Sequence, residues 1–222
     1  MVEKILAQNI ARKLRLVQFT TRTCLVLHYK SEGVTGIERM EIIPFQSCGK
    51  LLFGMTREQV EAVLGDAGRD EGTDGCLPNA QLVWYCNMRY HICYLDGRME
   101  WVEVPNPEDE NSDVSLYGIC LFQSRAEDAV RALEQYGACI HDCPDPELSY
   151  TCWFENLGVT LWRDQIYHPK RMKDDAYAAD FRAMPRENQQ DVLRFWHFQS
   201  VAAESKSIKR CVGHWGFRGS DH

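Results

Sequence analysis

Two stretches of this chain spell nearly the same local structure, and that repetition restricts the architecture more than any other feature. "FGMTREQVEAVLG" runs from Phe53 to Gly65, and "LFQSRAEDAVRALEQYG" runs from Leu121 to Gly137. In the first, Thr56 stands where a helix N-cap belongs, and Gln59 three residues on completes a capping box that satisfies two orphan backbone donors. Val60, Val63 and Leu64 then share a helical face, and Gly65 supplies the left-handed stop. In the second, Ser124 takes the cap position, Glu127 the box position and Gly137 the stop, with Ala129, Val130, Leu133 and Tyr136 on one face. Each helix is followed by an irregular polar stretch and then by strand signals.

After the first helix, Asp66 to Asn79 reads as a polar loop. The strand candidates are "AQLVWYC" (80–86), "YHICYL" (90–95) and "RMEWVEV" (98–104). Asp96-Gly97 between the last two marks a tight hairpin, because both turn positions need positive φ. In the third strand Met99 and Trp101 are read on one face, with Glu100, Val102 and Val104 on the other. After the linker "PNPEDENSD", "VSLYGICLF" (114–122) reads as one strand. "SYTCWF", the turn "ENLG" and "VTLWR" form another hairpin. Residues 1–15 suit a short helix, 16–29 strands, and "IERMEIIPF" a strand closed by Pro44. From Asp164 the pattern loosens into a long loop with a short helix, then a helix begun by Pro185 with Val192, Phe195 and Trp196 inward, and an aperiodic tail. "HFQSVAAES" reads equally as more helix or as a last strand.

The expected fold is therefore α+β: two tandem modules, each a capped helix plus an antiparallel β-meander, with a C-terminal extension. The boundaries are an N-terminal extension over 1–39, a first module over 40–105, a second over 114–163 and the extension over 164–222. Neither module alone buries a comfortable core, which is a physical reason to pair them.

The formal charge is −7, unevenly placed. Pro105 to Ser149 holds ten acids against two bases. Phosphates are repelled there, so nucleic acid is not expected, and the basic clusters Lys170-Arg171-Lys173 and Lys206-Lys209-Arg210 lack a stacking platform. The acidic run suits a partner with a basic surface. Seven of its residues are taken as the partner-binding set: Glu108, Asp109, Glu110, Asp113, Asp142, Asp145 and Glu147. The start of the chain has no apolar run of signal-peptide length and no stretch approaches a membrane span, so a cytoplasmic protein with ten reduced cysteines is expected.

No cluster specifies a reaction. "CIHDC" offers Cys139, His141 and Cys143, but the spacing is not the paired zinc form, a fourth ligand must come from elsewhere, and Pro144 follows at once. No cofactor, no metal and no catalytic residue is expected. His91 reads as a hydrogen-bonded sheet histidine. Trp84, Trp101, Trp153 and Trp162 fall on strands and are read mainly as core, packed on the helices.

Phe53-Gly54-Met55-Thr56 followed by Val60 and Leu64-Gly65 resembles the helix opening of small outer-membrane assembly lipoproteins and of the β-lactamase-inhibitor-protein fold. The longer pattern, from Ile42-Ile43-Pro44-Phe45 through "YLDGRMEWVEV" and "YGICLF", resembles small cytoplasmic bacterial proteins that include presumed immunity proteins. The resemblance covers about Met40 to Arg163. It implies a non-enzymatic binding protein that neutralises a toxin. The competing expectation is a small hydrolase or ligand-binding protein with a site between the two modules.

Overall fold

The computed structural model describes residues 38–73, 79–106 and 112–208. The readings over 1–29 and over the tail lie outside these residues. The chain forms β1 (Glu38–Ile43), β2 (Ser47–Cys48), β3 (Leu51–Leu52), α1 (Arg57–Leu64), β4 (Arg69–Thr73), β5 (Ala80–Tyr85), β6 (Tyr90–Leu95) and β7 (Arg98–Pro105). There follow β8 (Ser112–Leu116), β9 (Ile119–Cys120), α2 (Ala126–Leu133), β10 (Ile140–His141), β11 (Thr151–Phe154) and β12 (Val159–Trp162). Two helices, α3 (Asp175–Ala183) and α4 (Arg186–Arg194), precede β13 (Ser200–Glu204). This is an α+β fold.

The strands form a five-stranded sheet, ordered β3-β2-β1-β8-β9, and an eight-stranded sheet, ordered β10-β11-β12-β13-β7-β6-β5-β4. The larger sheet is antiparallel throughout, and its two runs of four strands meet where β13 pairs with β7. In the smaller sheet β1 and β8 pair in parallel. One core joins them: Ile42, Leu51, Val114 and Leu116 from the small sheet, Val60 of α1, Ala129 and Leu133 of α2, and Val83, Ile92, Val102, Phe154, Leu161 and Val201 from one face of the large sheet.

Helix α1 forms as the residues dictate. Thr56 accepts from the backbone N–H of Gln59, the Gln59 side chain accepts from that of Thr56, and Gly65 closes the helix in the left-handed region at φ 67°. Val60 is buried and Leu64 half-buried, while Val63 faces out. Asp96 and Gly97 both have positive φ, as the hairpin requires.

Helix α2 departs from the expected pattern. Its N-cap is Arg125, with no side-chain cap. The donor that Ser124 would have served is met from far along the chain: the N–H of Ala126 donates to the carbonyl of Trp196 at 2.9 Å. His197 Nδ1 donates to the carbonyl of Ser124 at 2.9 Å, and Glu127 accepts from Trp196 Nε1 instead of reaching back to the cap. Gly137 does not end the helix; its last cap is Glu134 in right-handed conformation. Tyr136 is exposed and stacks on Tyr117 at 4.0 Å. Thr56→Ala is accordingly expected to cost about 1 kcal/mol in denaturant unfolding. Ser124→Ala should stay within about 0.5 kcal/mol of wild type.

Three other expectations are corrected. Residues 66–79 contain β4, an edge strand with exposed Asp70 and Glu71 and a bulge between Asp70 and Gly72, so its polar composition masks it. Residues 114–122 break at Tyr117-Gly118, both with positive φ, into the β8–β9 hairpin. A register shift after Met99 turns β7 over: Met99, Val102 and Val104 face the core, and Trp101 pairs with Cys93 on the opposite face. Of the two readings of "HFQSVAAES", the strand is the one formed: residues 200–204 close the large sheet at its middle.

Candidate functional site

The register of the large sheet defines what its second face carries, since directly paired residues point the same way. One row crosses all eight strands: Arg69, Trp84, His91, Glu103, Ala202, Thr160, Trp153 and Ile140. Trp162 lies on the same face, paired with Ser200 and Thr151, and so does Trp101, paired with Cys93 and Glu204. The four strand tryptophans therefore sit opposite the main core rather than packed on the helices. A small second cluster, Ala80, Cys93, Trp101, Ala202 and Ile208, lies among them.

The row is chemically organised at its β5–β7 end. Trp84 and His91 stack with ring centroids 4.1 Å apart and planes 5° from parallel, and His91 meets Trp101 edge-on at 5.5 Å. Glu71 Oε2 lies 2.7 Å from His91 Nε2 and accepts from Trp84 Nε1 at 2.9 Å. Glu103 stands 3.7 Å from His91 Nδ1. The Glu71 side chain remains half exposed, while His91 and Trp101 beside it are buried. His91, expected to be a hydrogen-bonded sheet histidine, is buried on the sheet between two carboxylates, but its Nε2 makes no hydrogen bond of acceptable geometry among the described residues.

The seven acidic residues read from the sequence are not gathered into one face among the described residues. Glu108, Asp109 and Glu110 lie outside the described residues. Asp113 is 1% exposed, and its Oδ1 accepts from the N–H of Phe122. Asp142 binds its own turn, accepting from the N–H groups of Tyr150 and Thr151 at 3.0 Å each. Asp145 and Glu147 pair with Lys170, which holds both carboxyls below their ordinary range and raises the lysine. Lys170 is the signal that sequence reading missed: it comes from the "basic cluster", 25 residues past Asp145.

A cavity of about 220 Å³ lies beside α2, within the second half of the sheet rather than between the halves. Its walls include Glu127, Val130, His141, Glu147, Cys152, Arg163 and Phe198. Arg163 is 1% exposed; Nε donates to the carbonyl of Ser149 at 2.8 Å and Nη2 to that of Glu147 at 2.7 Å, while Nη1 has no partner among the described residues. Burial lowers the affinity of this guanidinium for its proton. Two of the lining carboxylates face the buried His168, whose Nε2 stands 3.9 Å from Glu127 and 3.7 Å from Glu147.

No family model, curated protein or solved structure matches this chain. No helix among the described residues is long and apolar enough to cross a membrane.

Proposed function

We propose that this protein is a non-enzymatic binding module that holds a basic protein partner against the outer face of its eight-stranded sheet, and that it acts in the cytoplasm as the immunity partner of a bacterial toxin. The observation that carries the proposal is the cross-strand row in which Trp84 and Trp153 stand in opposite halves of one sheet, with Glu71 and Glu103 beside the first. Large aromatics on a rigid surface give binding area at low entropic cost, and flanking carboxylates orient and accelerate the approach of a cationic surface. A four-strand run on each side of β7–β13, each preceded by a helix, supports reading the halves as a duplicated module of the β-lactamase-inhibitor-protein kind. Asp113, Asp142, Asp145 and Glu147 have no place in this interface, being buried or already engaged. Glu108, Asp109 and Glu110, in the connection between β7 and β8, are the residues assigned to steering.

The test is co-expression with candidate toxins encoded beside this gene, followed by binding kinetics on the pair that is neutralised. Trp84→Ala with Trp153→Ala is expected to abolish protection and to raise dissociation by about a hundredfold, as the loss of two interface anchors would. Reversing the charges of Glu108, Asp109 and Glu110 is expected to slow association and flatten its salt dependence, leaving dissociation nearly unchanged. Full protection by the double tryptophan variant would remove the sheet face from the interface.

A further inference from the structure

Three side chains that are scattered in sequence converge at the β10–β11 edge. His141 and Cys152 are direct partners across the two strands, so they share a face. Cys139 lies two residues before His141 and so projects to the same side. The two sulfurs and one imidazole nitrogen all lie within 4.8 Å of one another. His141 Nδ1 is 3.7 Å from Cys152 Sγ and 3.9 Å from Cys139 Sγ, and 3.2 Å from Ser149 Oγ.

One ring nitrogen has a single lone pair or a single proton, so it can satisfy one of these three neighbours and not all of them. The spacing instead matches what a cation at their centre demands. With Zn–S about 2.3 Å and Zn–N about 2.0 Å, tetrahedral geometry separates neighbouring nitrogen and sulfur ligands by about 3.6 Å. The observed separations are within a few tenths of an ångström of that edge.

The frame is rigid where the ligands need it. Asp142 fastens the intervening loop through the N–H groups of Tyr150 and Thr151. Arg163 fastens it from the other side through the carbonyls of Ser149 and Glu147. Cys143, part of the "CIHDC" pattern, stands outside the cluster; the third ligand is Cys152, 11 residues from His141 and brought in by strand pairing.

We propose that Cys139, His141 and Cys152 form a zinc site in this protein. Two thiolates and a neutral imidazole are a soft set that prefers zinc to magnesium or calcium. The fourth position falls to a water or hydroxide beside the Ser149 hydroxyl, on the side where His141 and Cys152 line the cavity. On binding, two S–H bonds give way to two Zn–S bonds, and both protons pass to the buffer.

The experiment uses the full chain, reduced and stripped of metal. Cobalt(II) is added first, because thiolate ligation produces near-ultraviolet charge-transfer absorption and tetrahedral geometry produces intense visible bands. One equivalent of cobalt should generate both, and zinc should displace it. Zinc should also shield Cys139 and Cys152, but not Cys143, from alkylation read by peptide mass spectrometry. Cys152→Ser is expected to weaken zinc binding on the order of a hundredfold or more, and Cys143→Ser to leave it unchanged. The cobalt spectrum and the alkylation pattern are read on the unaltered protein, so they stand even if a variant fails to fold. Absence of the charge-transfer band, equal alkylation of the three cysteines with and without zinc, or a Cys139–Cys152 disulfide in freshly isolated protein would overturn the site.

Discussion

Phe154→Ala should destabilise the protein by about 3–5 kcal/mol, enough to consume a large share of the stability of an ordinary domain. Phe154 ends β11, is fully buried, and belongs to the core shared by both sheets and both early helices. Truncation removes the transfer energy of a phenyl group and leaves a void that a sheet fixed on both sides cannot collapse to fill. Urea or guanidinium unfolding, followed by tryptophan fluorescence, measures it directly. A loss below about 1 kcal/mol would mean that this part of the core is looser than its burial indicates.

Gly158→Ala should cost roughly 2–4 kcal/mol, an unusually large penalty for adding one methyl group. Gly158 sits at φ 60° between the 3₁₀ turn Glu155–Leu157 and β12. A Cβ there would come within 2.5 Å of a Phe45 ring carbon and 3.0 Å of the Glu204 carbonyl. The Phe45 ring can turn aside, but the carbonyl belongs to β13, whose Glu204 N–H donates to the carbonyl of Gly158 at 2.9 Å. The contrasting substitution is Gly97→Ala, with φ 75° but nothing within 4 Å of the added carbon; it carries the backbone penalty of about 1–2 kcal/mol without the clash. Equal losses for the two would show that conformation alone, not crowding at the middle of the sheet, sets the effect.

Local chemistry was legible in the sequence and long-range chemistry was not. The Thr56 capping box, the Gly65 stop and the Asp96-Gly97 turn each depend on residues within four positions, and all three are present. The Ser124 cap fails because Trp196 and His197, some seventy residues away, supply the partners for that helix end. Strand β4 was hidden because its edge position lets it carry Arg69, Asp70 and Glu71, and alternation cannot mark a strand whose side chains are mostly exposed. The direction of Trp101 was misread because a single bulge reverses every face assignment on one side of it. The candidate metal ligands show the same limit: "CIHDC" points to Cys143, and only the pairing of β10 with β11 brings Cys152 to His141. The acidic run was counted correctly, but charge counting cannot tell a solvated carboxylate from one that holds a turn or a lysine.

The place of β13 between β7 and β12 bears on how the molecule is made. Each run of strands can assemble from its own neighbours as it leaves the ribosome, yet each must then wait with a bare ladder of backbone donors and acceptors on its inner margin. The keystone is synthesised after both, beyond two helices. Until residue 204 is available, the margins of β7 and β12 that pair with β13 lack their partner.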